Sequence, residues 1–407
     1  MDKVFSLIKA EEKRQRVTLM MIPSENYTSP AIREAVGSAL MHKYSEGYPS
    51  KRYYQGNKIV DEIENLAIER AKKLFKVPHA NVQPYSGSPA NAAVYMALLN
   101  PGDKLMGMSL SSGGHLTHGH PKITFSGKYF KSIQYGVGKD GFINYDEVAK
   151  IARREKPKLI VAGLTAYPRS LDWKRFAEVA NEVGAILAAD ISHIAGLVVG
   201  GVHESPVKYA NVITTTTHKT LRGPRGAIIM VTEKGFKKDA EMAKKIDRAV
   251  FPGLQGGPHD NTTAAIAICL NEAVGPAFKR YAKIVVDNAK ILAGELSALG
   301  FELITGGTDN HLVLIDLRNK GVLGKEAATR LEEAGIIVNY NSVPNDPYPP
   351  MNPSGIRLGT PAVTTQGMGE VEMKKIAGWI NEVLCSEHQI SSIKKDVKEL
   401  CKKFPWR

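Results

Sequence analysis

What most limits the fold of this chain is the stretch from residue 158 to 216, where short apolar runs alternate with helical patterns. Lys158–Gly163, Ala185–Ala189 and Val212–Thr215 are too short for helices, whereas Asp172–Glu182 repeats its apolar residues at helical spacing. Strands that read as unbroken apolar runs are buried on both faces, and joining them through helices makes them parallel. The pattern predicts an α/β centre. Upstream, Ile59, Ile63, Leu66, Ala67, Ala71 and Leu74 recur every three or four residues, a helix whose stripe should pack on that sheet. Before it, residues up to about Tyr54 mix an amphipathic helix with Pro- and Gly-punctuated segments and read as an arm. Downstream, the helical stretch Tyr281–Leu299 is followed by His311–Leu317, Ala327–Ala334, Ile336–Asn339 and a helix near Val371–Val383. We therefore expect an arm and large domain over residues 1–280 and a smaller α/β domain over 281–407.

Composition narrows the function classes. Among 407 residues, 43% are apolar and 23% charged, which excludes a disordered or fibrous chain. No apolar run approaches the ~18 residues of a membrane span. The start, Met1-Asp2-Lys3 followed by the charged stretch Glu11–Arg16, lacks the apolar region of a secretory leader, so a cytoplasmic protein is expected. Cys269, Cys385 and Cys401 are odd in number and form no CxxC pair, so they are expected to be ordinary thiols and no metal site is expected. The formal charge of +13 lies largely in mixed-sign helical stretches such as Phe236–Arg248. Only the tail from Lys394 is plainly basic, and it lacks an RNA-stacking pattern, so nucleic acid is the minority reading and anionic small ligands the favoured one.

Three local patterns carry chemistry. Lys219 lies in Thr214-Thr215-Thr216-Thr217-His218-Lys219-Thr220, after an apolar strand and before Gly223-Pro224-Arg225-Gly226. Desolvation there lowers an amine's pKa and makes it nucleophilic, so Lys219 can form a Schiff base beside hydroxyls such as that of Thr216 and the cation of Arg225. Asp190 ends Ala185–Ala189 and precedes Ser192-His193, at the carboxyl end of a strand where α/β sheets bind ligands. An acid there can keep a pyridine nitrogen protonated. Ser86-Gly87-Ser88-Pro89-Ala90-Asn91 opens a helix with small residues whose N–H groups suit a phosphate. Taken singly, each has a plainer reading: a solvated loop lysine, a helix cap, a Ser-capped helix start. His115, Tyr44, Glu46, Tyr53, Tyr54 and Arg357 are further candidates for ring stacking, proton movement and carboxylate binding, each with packing or a surface ion pair as its rival.

Together these segments resemble the serine hydroxymethyltransferase family, pyridoxal-phosphate enzymes of the aspartate-aminotransferase-like fold. The resemblance runs along nearly the whole chain. It includes Pro23-Ser24-Glu25-Asn26, Glu46-Gly47-Tyr48-Pro49, Lys51-Arg52-Tyr53-Tyr54, Val82–Ser88, Gly113–Gly119, Asp190–Gly196, Thr214–Gly226, Phe251–Pro258, Asn341–Pro347 and Gly355–Pro361. It implies that Lys219 carries pyridoxal 5′-phosphate, Asp190 pairs with its ring nitrogen, His115 stacks on the ring and His193 meets the phenolic oxygen. Ser86, Gly87, Ser88 and Thr216 would bind the phosphate side, with Gly256 and Gly257 arriving from a second subunit. Ser24, Tyr44, His218 and Arg357 would orient the amino acid. Glu46 and Tyr54 of the partner would face the reacting side chain, and Leu110, Gly114, Leu116, Tyr53 and Asn341 would border tetrahydrofolate. The implied protein is a homodimer, or a tetramer, with shared sites. Thr165 stands where the family commonly has serine, near the ring, and Ser50 and Gln55 replace common glycines beside the tyrosines. The rival readings are a folate-independent threonine aldolase or transaldolase, and a basic RNA-binding protein on the same fold.

Overall fold

The apolar runs form the middle of a seven-stranded sheet in a computed structural model that describes residues 2–386 and 389–406. We number its strands in chain order: β1 His79–Asn81, β2 Lys104–Met108, β3 Lys131–Tyr135, β4 Leu159–Gly163, β5 Ile186–Asp190, β6 Val212–Thr216 and β7 Ala227–Val231. Their spatial order is β1-β7-β6-β5-β4-β2-β3. Only β7 runs against its neighbours. Every residue of β4, β6 and β7 is buried; β4 and β7 read as unbroken apolar runs, while β6 buries three threonines after Val212 and Ile213. Between β4 and β5, the helix Trp173–Glu182 starts where Asp172 accepts the Arg175 N–H, and it buries Trp173, Phe176 and Val179.

This larger unit comprises Thr28–Gly138 and Phe142–Arg280. Its helix Lys58–Phe75 exists as expected, but the buried face is Val60, Glu64, Ala67, Ala71 and Phe75, while Ile59 and Leu66 are exposed. The face turned because the helix packs chiefly against the helix Asp260–Glu272 and because Glu64 points inward to Arg52.

The other unit takes the described residues up to Tyr27, Lys139–Gly141 and the chain from Tyr281 on. The N-terminal stretch belongs here because Leu19–Met20 pairs in parallel with Ile336–Ile337. A four-stranded antiparallel sheet runs Glu302–Leu303, Leu312–Asp316, Gly355–Gly359, Asn339–Asn341. Leu19, Leu296, Val313, Ile315, Leu331 and Ile376 are among the residues of its core. No helix among the described residues is long and apolar enough to cross a membrane.

Candidate active site

The strands β4, β5 and β6 end together. In the pairing register Gly163 faces Asp190, and Asp190 faces Thr214, so the carboxylate stands at the carboxyl edge of the sheet. Asp190 is buried and accepts three hydrogen bonds: from His118 Nε2 (3.0 Å), Asn91 Nδ2 (2.9 Å) and the Ser192 N–H (3.0 Å). Burial alone would raise its carboxyl; these bonds outweigh it and hold the group well below the ordinary 3.8. His118 Nδ1 accepts the His115 N–H at 3.2 Å, so its hydrogen resides on Nε2 and the ring is a neutral donor to Asp190. Asn91 is fixed in turn, because its Oδ1 accepts the Thr214 hydroxyl at 2.7 Å. A Cβ at Gly163 would come within 2.9 Å of Asp190 Cβ and 3.0 Å of the His118 ring, so only glycine lets the three groups converge.

His115 is oriented by the same network. Its Nδ1 accepts the Thr117 N–H (3.1 Å) and lies 2.7 Å from the Thr117 hydroxyl, which is 2.9 Å from Asn91 Nδ2. A pocket of about 200 Å³ brings His115 and Asp190 together with Ser86, Gly87, Ser88, Thr165, His193, Thr216, His218, Lys219 and Arg225. Lys219 Nζ donates to Thr216 Oγ1 at 3.0 Å. At the helix start Gly87–Leu98, the Ser86 hydroxyl does not cap the helix, and a Cβ on Gly87 would sit 2.7 Å from Thr216 Cγ2. That leaves a narrow cradle of backbone N–H groups and hydroxyls facing a lysine and an arginine, suited to a phosphate. His218 has a buried Nδ1 with no hydrogen-bond partner, and burial, then Lys219 and Arg225, lower its pKa to about 3. Thr165 donates to the Gly114 carbonyl at 2.9 Å, tying the end of β4 to the loop after β2 that carries Leu110, Gly114 and Leu116.

A second cluster of the larger unit collects residues that do not line this pocket. Glu46 Oε1 lies against Gly256, and the Tyr44 ring against Gly257. Tyr44 meets Tyr54 edge to face at 5.1 Å, and both are about half exposed. Tyr53, 73% exposed, leans on Phe251 at 5.8 Å. Beneath them Arg52 is buried and holds the segment. It pairs with Asp61 (2.8 Å) and Glu64 and donates to the carbonyls of Ser45 and Gly47 (2.8 and 2.9 Å).

Residues 1–380 match the family model described as serine hydroxymethyltransferase. This chain belongs to the serine hydroxymethyltransferase family. Its relatives include the serine hydroxymethyltransferase of Acidothermus cellulolyticus, 58% identical over 99% of this chain and 95% of that protein. Those of Sorangium cellulosum and Desulfotalea psychrophila are 55% and 54% identical, each over 99% of this chain and 94% of the relative.

Within the smaller unit of this family member, Arg357 sits mid-strand opposite Leu314 and Asn339, and its Nε donates to Asn339 Oδ1 at 3.1 Å. Burial lowers its pKa to about 10, so it stays charged at neutrality. Asn341 ends the neighbouring strand and donates to the Ser342 carbonyl at 2.7 Å, while Ser24 is half-buried after Pro23. Sequence reasoning missed His118, Asn91 and Thr117, the residues that set Asp190 and His115. The available signal was a second histidine three residues after His115 together with a glycine, Gly163, closing an otherwise bulky strand.

Proposed function

We propose that this chain catalyses the reversible, pyridoxal-5′-phosphate-dependent transfer of the serine hydroxymethyl carbon to tetrahydrofolate, giving glycine and 5,10-methylenetetrahydrofolate. The observation that carries this reading is the convergence of Lys219, the ionised Asp190 and the Gly87 cradle on one pocket. These groups fit the cofactor: an amine for its carbonyl carbon, a carboxylate for its ring nitrogen, and N–H groups and hydroxyls for its phosphate. His115 would lie on the ring, and His193 would meet the phenolic oxygen. When bound, pyridoxal 5′-phosphate supplies an electron sink for the pair left on the substrate Cα as the Cα–Cβ bond breaks.

The chain's own residues do the rest. Asp190 would keep a proton on the cofactor's ring nitrogen, because its donors hold it ionised through the neutral range. Thr165 anchors the loop carrying Leu110, Gly114 and Leu116, where the pterin would rest. Arg357, a desolvated guanidinium, would bind the amino acid's carboxylate, and Ser24 and His218 would orient the remainder. Glu46 and Tyr54, with Gly256 and Gly257, would act in a second subunit's site, and Tyr53 and Asn341 would border the folate. Support for that sharing is that the Glu46 cluster does not line its own chain's pocket and keeps its aromatic faces open. The protein would be a homodimer at least, working in the cytoplasm.

The test is Lys219→Ala, with the visible spectrum and tetrahydrofolate-dependent cleavage of serine measured on parent and variant. The parent should be yellow and active, and the variant should lose both its visible band after dialysis and its turnover. A variant that cleaves serine at the parent rate overturns the reading. Parent cleavage that ignores tetrahydrofolate replaces it with a folate-independent aldolase.

A further inference from the structure

The larger unit has a roomier concavity than the Lys219 pocket. A cavity of about 650 Å³ opens where the C-terminus of the helix Lys58–Phe75, the segment after the short helix Ala195–Val199 and the turn Ala273–Lys279 meet. Its volume falls in the range of small-molecule sites, and its composition is split. The walls are Leu74, Val198, Val199 and Val207, half-buried, with Val274 exposed at the lip. Four exposed lysines stand around it: Lys73, Lys76, Lys208 and Lys279.

Among the described residues none of these four ammonium groups has an ion-pair or hydrogen-bond partner. Elsewhere on the larger unit, Lys104 pairs with Glu155 and Lys158 with Asp103. One carboxylate, Glu204, also lines the cavity, close enough to the Tyr209 hydroxyl for its charge to raise that phenol's pKa. Lys73 and Lys76 complement the negative end of their helix, but Lys279 lies in the first turn of Pro276–Ala298, where the dipole repels it and where no acid stands. Four unpaired ammonium groups over an apolar floor are complementary to a compact anion carried on an apolar body.

The walls also reach the Lys219 turn. Val198 and Val199 end the helix Ala195–Val199, whose Gly196 packs so closely that a Cβ would lie 2.2 Å from the Thr220 carbonyl oxygen. The Gly196 N–H donates to Thr220 Oγ1 at 3.0 Å, and that hydroxyl donates to the His193 carbonyl at 2.9 Å. From the other side, the Phe278 ring next to Lys279 carries the Arg222 guanidinium at 5.3 Å, and the Arg222 N–H closes the turn on the Lys219 carbonyl at 3.1 Å. Elements lining the cavity thus grip the turn bearing Lys219 at both ends.

We propose that this cavity binds a small amphiphilic anion, a phosphate monoester or dicarboxylate on an apolar body, and that its occupancy is felt at the Lys219 turn. Such coupling requires the ligand to favour one packing of these elements over another, and the tight contact at Gly196 would pass a shift of the helix Ala195–Val199 on to Thr220. The experiment titrates octyl phosphate into the holoenzyme by calorimetry while recording the visible spectrum. Expected are about one site per chain, weaker binding at higher ionic strength, and at least about tenfold weaker binding of inorganic phosphate and of octanol. The double variant Lys208→Gln/Lys279→Gln should bind octyl phosphate about tenfold more weakly or worse, and should lose the spectral response while keeping its turnover without the ligand. Val274→Glu, which puts a negative charge at the lip, should do the same. Binding untouched by these substitutions, displaced by serine, or matched by inorganic phosphate overturns the site; binding without any spectral change overturns the coupling.

Discussion

Asp190 and Arg52 are both buried charges of the larger unit, and they are satisfied by opposite means. Asp190 is held by neutral donors alone: the His118 ring, the Asn91 amide and the Ser192 N–H. Its negative charge is stabilised but not cancelled, and it faces a pocket. Arg52 is held by two carboxylates, Asp61 and Glu64, and by two backbone carbonyls. Its charge is neutralised within the fold, and what it secures is a segment, Glu46–Tyr54, whose aromatic side chains face outward. The contrast separates a charge kept available for chemistry from one used to hold chemistry in place.

Removing Arg52 should produce the largest effect, and in stability rather than in the chemical step. Arg52→Met would leave Glu64 buried, and burial already pushes that carboxyl upward against its pairing with Arg52. Breaking a buried pair by deleting one partner typically destabilises by about 3–5 kcal/mol. Denaturant unfolding of parent and variant measures it. A loss confined to well under about 1 kcal/mol, as for an exposed pair, would place Arg52 with surface salt bridges.

Asp190→Asn should strike turnover, and it should also cost some stability because its amide nitrogen would face a donor where the carboxylate accepted. The amide can no longer favour a protonated nitrogen opposite it, and preorganised charges of this kind are worth about 10²–10³-fold in rate. His118→Phe, which removes one donor of three, should move activity in the same direction by less. Steady-state rates with the cofactor content measured on each variant check both; full activity in Asp190→Asn would collapse the distinction drawn here.

How far the sequence carries depends on which of these two devices is being read. The central strands were legible because β4, β5 and β6 are flanked by neighbours and shielded from water, so each opens on an apolar run, with polar residues only at the carboxyl ends of β5 and β6. The edge strands β1 and β3, His79-Ala80-Asn81 and Lys131-Ser132-Ile133-Gln134-Tyr135, carry polar residues and give no such signal. Lys219 and Asp190 were legible as residues whose chemistry matches their place after a strand. His118 was not, because a neutral histidine donating to a carboxylate leaves no pattern along the chain; its partner is 72 positions away. Nor was the inward turn of Glu64, since a periodic stripe of Ile59, Ile63 and Leu66 predicts a different face, and packing against the helix Asp260–Glu272 together with the Arg52 pairing overrides it.

Glu46 tests what the Arg52-anchored segment is for. With serine and tetrahydrofolate, Glu46→Gln should lower turnover by about 10²-fold, the scale of one positioned proton-transfer group, while serine binding measured spectrally is retained. Cleavage of allo-threonine, which releases its aldehyde without transfer to folate, should fall by less. Equal losses in the two reactions would deny the segment a folate-side role.

The smallest effect expected concerns His218, whose buried Nδ1 lacks a partner and whose pKa is lowered from 6.5 to about 3. Between those values the unfolded chain takes up a proton that the folded chain refuses, so folding stability is full above about pH 6.5 and declines as the pH falls toward 3. Each unit of pKa displacement is worth about 1.4 kcal/mol, so at about pH 4.5 this one ring accounts for no more than roughly 2–3 kcal/mol. His218→Asn removes the titrating group. Unfolding of the protein stripped of bound cofactor, followed at about pH 7 and about pH 4.5, should therefore show a smaller acid loss in the variant than in the parent. An identical loss would mean that His218 takes up its proton in the folded pocket as readily as in water. The pocket would then set the ionisation of Asp190 but not of His218, and the neutral-donor device would be confined to the sheet edge.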